Sequence, residues 1–187
     1  MRFDFKLFIA FILCFQIGFS QENHNTSILK VILSKYYANE KVIVKNRLQF
    51  LSFYCNKAPN NEEVLEAISK NDLLKKNASE IKKQINDKSE ENWSAEYNTI
   101  FATENAHLKS KVNNCLSLEE FQKVSTKNNV NYQRLMIVGK PMYFAQKYCL
   151  IKVAFYRNIE HNSSRFLLFE NINGVWTIVE TINEWET

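Results

Sequence analysis

Lys147-Tyr148-Cys149-Leu150-Ile151-Lys152-Val153-Ala154-Phe155-Tyr156 divides into two alternating sets. Cys149, Ile151, Val153 and Phe155 are all apolar, as a buried face requires, while Tyr148, Leu150, Lys152, Ala154 and Tyr156 are mixed. β-Branched and aromatic residues dominate, which favours a pleated strand over a helix. A polar turn from Asn158 to Ser164 follows. Arg165-Phe166-Leu167-Leu168-Phe169 then brings apolar residues to both faces. Asn173-Gly174 supplies the positive φ angles of a tight hairpin turn, and Val175 to Ile182 completes three antiparallel strands in sequence order.

Arg134-Leu135-Met136-Ile137-Val138 predicts a fourth strand, stopped by Gly139-Lys140-Pro141, and Met142-Tyr143-Phe144 can resume the pairing. Such a sheet has an oily face that the upstream residues must cover. Upstream, Ile28, Leu29, Ile32, Leu33, Tyr36 and Tyr37 recur at helical spacing, after a polar start from Gln21 to Asn25 read as frayed. Val64, Leu65 and Ile68 mark a second helix beyond the Ala58-Pro59-Asn60-Asn61 break. Leu74, Ala78, Ile81 and Ile85 mark a third, and Trp93, Tyr97, Ile100 and Phe101 a fourth that can run on to Val112. Ser117-Leu118-Glu119-Glu120 is a capping box that starts another at Leu118. Val42 to Cys55 fits both periods and is read as helix. The expected fold is α+β, with a mainly helical segment over 21–133 packed on one face of a three- to five-stranded antiparallel meander over 134–187. The alternative is a curled sheet around a helix, as in cystatin-like or NTF2-like cones. Nothing divides residues 21–187 into two domains.

The first twenty residues read as a secretory signal peptide. Arg2 and Lys6 form a basic start, Leu7 to Phe15 an apolar run, and Gly18-Phe19-Ser20 a small-residue exit with cleavage after Ser20. The chain is therefore expected to be exported, periplasmic or secreted, meeting the membrane only through this leader. Without it, 22 basic residues face 19 acidic ones, spread evenly, and no stretch is committed to phosphate, so nucleic acid is not an expected partner. Three cysteines survive cleavage: Cys55, Cys115 and Cys149. In an oxidising compartment they make one disulfide and one leftover thiol, with Cys55–Cys115 favoured because Cys149 reads as a buried strand residue; three reduced, buried thiols are the alternative.

No hydrolase elbow, phosphate loop or Cys-x-x-Cys pair is present, and His24, His107 and His161 are too scattered for a local zinc motif. The sequence thus implies no catalytic residue, metal or cofactor. The most functional-looking patch runs from Arg157 to Arg165, where Arg157, Glu160, His161 and Arg165 gather guanidinium forks, an acid and an imidazole at an expected loop tip. Tyr148 and Tyr156, with Trp176, are a second candidate contact surface.

Lys140-Pro141-Met142-Tyr143-Phe144, Lys147-Tyr148-Cys149-Leu150-Ile151 and Asn173-Gly174-Val175-Trp176 together resemble the C-terminal pattern of small uncharacterised secreted proteins of the Bacteroidetes. The resemblance implies export and an α+β fold but no activity. Many such proteins carry a Cys-bearing, Gly-rich loop between the first two strands, where this chain has Asn158 to Ser164. The expected function is a non-enzymatic, exported protein-binding module whose sheet edge or Arg157–Arg165 turn meets another exported protein, in one version an immunity protein against a toxin. The rival is a small hydrolase or a lipid- or small-ligand-binding protein with a pocket between sheet and helices.

Overall fold

The computed structural model describes residues 24–38, 43–44, 47–48, 51–87, 89–102, 112–127, 134–158 and 161–187; the expected leader lies outside them. Helix α1 covers 24–37. Then come β1 (Ile43–Val44), β2 (Arg47–Leu48), β3 (Leu51–Tyr54), α2 (Glu63–Lys70), α3 (Asp72–Lys76), α4 (Ala78–Ile85), α5 (Ser94–Ala102) and β4 (Val112–Leu116). Helix α6 (Leu118–Lys127) precedes β5 (Arg134–Val138), β6 (Met142–Phe144), β7 (Tyr148–Asn158), β8 (His161–Ile172) and β9 (Val175–Glu186).

The meander forms where its local signals place it. β5 pairs antiparallel with β7, β7 with β8 and β8 with β9, while β6 returns along β7. Asn173 and Gly174 turn the last hairpin at φ 53° and 86°, the left-handed region that Asn and Gly tolerate best. The capping box also closes. The Glu120 amide donates to Ser117 Oγ at 3.2 Å, and the Ser117 amide donates to a Glu120 carboxylate oxygen at 2.8 Å.

Two expectations are corrected. The sheet is mixed, in the order β4-β3-β5-β7-β8-β9 with β6 on β7, because β3 runs parallel to both β4 and β5. Val42 to Cys55 therefore supplies strands where a helix was expected, and Val112 lies in a strand too. The reason is burial: a strand inside a parallel array is covered on both faces, so its residues do not alternate. Ser52 and Phe53, neighbours on opposite faces of β3, are 1% and 0% exposed. The helices also cover both faces of the sheet where one was expected. Cys149, Ile151, Val153, Leu167 and Phe169 meet Ile28, Leu29, Ile32 and Leu33 of α1 and Ile100 of α5. Leu150, Phe166, Leu168 and Ile182, on the other face, meet Val64, Ala67 and Ile68 of α2, Leu74 of α3 and Ile81 of α4.

The N-terminus is held more firmly than its polar sequence implies. His24 and Asn25 are helical; the Trp176 indole donates to His24 Nδ1 at 2.9 Å, and the Tyr143 hydroxyl donates to Asn25 Oδ1 at 2.6 Å. Cys55, just after β3, and Cys115 on β4 stand at disulfide distance with their Cα atoms 5.0 Å apart, while Cys149 is free and buried. The bridge closes a loop spanning 60 positions, so replacing both cysteines by serine is expected to cost about 2–5 kcal/mol. Urea unfolding of the oxidised wild type against the double variant measures this.

Candidate functional site

Of the Arg157–Arg165 patch, the structure describes the side chain of Arg165, which lies in strand β8 and away from the turn that joins β7 to β8. β7 stays paired as far as Asn158↔His161, so Asn162 to Arg165 are strand residues opposite Tyr156 to Val153. Arg165 faces Tyr36 and Phe155, with its guanidinium carbon 5.7 and 6.0 Å from their ring centres, and bonds Glu184 at 2.6 Å. Glu160 and the side chains of Arg157 and His161 lie outside the described residues. The aromatic surface is also absorbed. Tyr148 stacks on Phe144, Tyr156 meets Phe121 of α6, and Trp176 is 4% exposed.

A cleft of about 590 Å³ opens at the carboxyl ends of β3 and β5, between Tyr54, Asn56, Lys57, Pro59, Glu91 and Lys140. Crevices outside the carboxyl ends of parallel strands are where open α/β sheets bind ligands, so its chemistry needs testing. The segment after β3 crosses to the segment after β5 through backbone bonds from Ala58 N–H to Val138 and from Lys140 N–H to Ala58. This brings two buried ammonium groups to the cleft floor. Lys57 Nζ bonds Glu96 at 3.0 Å and Glu91 at 3.1 Å, and sits 4.6 Å from the centre of the Trp93 ring. Lys140 Nζ bonds Ser89 Oγ at 2.8 Å and also the Ser89 carbonyl; Asp87 and Glu91 carboxylates stand at 3.6 and 3.9 Å. Glu91 joins the two lysines.

Sequence reading missed this cluster, because Lys57 and Lys140 resemble any solvated lysine and their partners lie 34 to 53 residues away. Both ammonium groups are consumed by the protein's own oxygens. The Cys149 thiol is fully buried and burial pushes its pKa well up, which removes it as a thiolate. Among the described residues no cluster of His, Cys, Asp and Glu is arranged to hold a metal. The cleft is a clamp joining the loops at one end of the sheet.

The other unusual surface is the edge formed by β9. This strand of 12 residues ends the sheet and pairs only with β8 among the described residues. Six large apolar side chains are exposed among those residues, and four lie at the turn or along the outer strand of this hairpin: Ile172, Val175, Val179 and Trp185. Register shifts at Val179 and at Asn183-Glu184 leave Val175–Ile178 as its longest regular run. Asn183, at φ 52°, is tied to α2 by Lys70 at 2.6 Å and Glu66 at 3.2 Å. At the start of α2, burial alone would raise the Glu63 pKa, but Lys152 at 2.7 Å, Asn61 and Trp185 hold it below the usual carboxylate range. No protein-family model, curated protein or solved structure matches this chain.

Lys57→Met strands a buried Glu96 and is expected to cost about 3–5 kcal/mol, much of it recovered in Lys57→Met/Glu96→Leu. A double-mutant cycle by urea unfolding reads that difference. Glu63, held low, stabilises the fold fully above about pH 4.3, the unfolded glutamate value, and less as pH falls through its lower folded value. Glu63→Gln should therefore be less stable than wild type at neutral pH, with the gap closing in acid; thermal melts across that range test the sign.

Proposed function

We propose that this chain is a non-enzymatic protein-binding module that receives an extended segment of its partner on the outer edge of β9. The supporting observation is a long terminal strand that carries exposed Val175, Val179 and Trp185 and has no other strand beyond it among the described residues. An open edge offers a row of backbone N–H and C=O groups, and side chains along it supply selectivity. Two apolar cores pack between the sheet and its helices, which favours this reading over a ligand pocket there. The cysteine pair at disulfide distance is compatible with export, and no described helix is long and apolar enough to cross a membrane. The narrower form of this proposal is an immunity protein whose partner is an exported toxin.

A photo-crosslinking residue at Thr177 or Val179 should trap the partner in cells, whereas one at the exposed Lys82 of α4 should not. Lysines at Val175 and Val179, which spoil strand pairing, should lower capture about tenfold without altering the circular dichroism spectrum. Equal capture from α4 and β9, or capture indifferent to the lysines, would count against the edge.

A further inference from the structure

We infer that the segment received by β9 alternates apolar with basic residues and belongs to a different protein, not to a second copy of this chain; this rests on the strand-addition reading above. Val175 to Glu186 contains Glu180, Glu184 and Glu186 and no lysine, arginine or histidine. Arg165 answers Glu184 at 2.6 Å, and on α2 Lys70 answers Glu66. Among the described residues Glu180 accepts only from the neutral Asn71 amide, at 2.7 Å, and no base pairs with Glu186. The edge therefore presents the Glu180 carboxylate next to Val179 and that of Glu186 at the end of the strand, with Val175 and Val179 65% and 48% exposed. A bound strand that buries the valines brings its own side chains to those carboxylates, where a basic residue gains and an acidic one is repelled.

Self-pairing fails by the same count. With no base on β9, no register of one copy's β9 against another's can form an ion pair between the two strands, and registers that overlap over 180–186 bring like charges together. Like charges are a device by which edges avoid their own kind; here they leave a basic partner unopposed.

The test titrates the full chain with three peptides of about ten residues: alternating Lys and Val, alternating Glu and Val, and the Lys peptide interrupted by prolines so that it keeps its charge but cannot form a ladder. Anisotropy gives affinity, and amide hydrogen exchange reports protection over 175–186. The Lys–Val peptide should bind at least about tenfold tighter than the Glu–Val peptide, protect β9, and weaken severalfold between low salt and about 0.5 M salt. Glu180→Lys/Glu186→Lys should reverse the preference. Equal binding of the Lys and Glu peptides with β9 protected would overturn the basic partner and leave strand addition standing. Binding of the proline-interrupted peptide as tightly as the Lys–Val peptide, or no binding by any peptide, would overturn strand addition itself. A dimer in which β9 amides are protected without peptide would overturn the choice of partner.

Discussion

Strand β8 cannot tolerate water on either side, and the architecture follows from that. Phe166 and Leu168 point one way and Leu167 and Phe169 the other, and all four are at most 2% exposed. At roughly 1.5–3 kcal/mol for each fully buried side chain of this size, leaving either face wet would cost a large share of a domain's net stability. Helices must therefore cover both faces: α1 and α5 on one, α2, α3 and α4 on the other. β9, outside β8, needs less cover, which is why it can be an edge.

Packing two layers of helices on a sheet creates a problem where the connections cross. The chain leaving β3 must pass the chain leaving β5, and the loop before α5 must close over both. Lys57 and Lys140 occupy that crossing, each buried and each held by oxygens from the 87–96 segment. Buried ion pairs contribute little net stability, since desolvation offsets most of the attraction, but a missing partner is costly. The clamp thus specifies which loops meet. The cysteine pair performs a similar task between β3 and β4, the strands at the far side of the sheet from β9.

The opposite border of the sheet, β9, is the surface on which the proposed recognition rests. Among the described residues four of the six exposed large apolar side chains lie at its turn or along it, and its charges are of one sign. Apolar contact and backbone bonding would supply affinity there, and the glutamates selectivity.

Elements specified by neighbours in the chain were legible in the sequence: the alternation of Cys149 to Phe155, the Asn173-Gly174 turn, the Ser117–Glu120 cap and the helical spacing of α1. Each depends on φ, pleat or helical period over a few residues. What only the tertiary structure decided are the parallel pairings of β3, the helices on both faces, the strand pairing of Asn162 to Ser164 where a turn was expected, and the meeting of Lys57 with Glu96. Most of these join residues far apart in sequence. Burial on both faces erases the alternation that would announce β3, and a lysine's sequence context carries no mark of a partner 39 residues away.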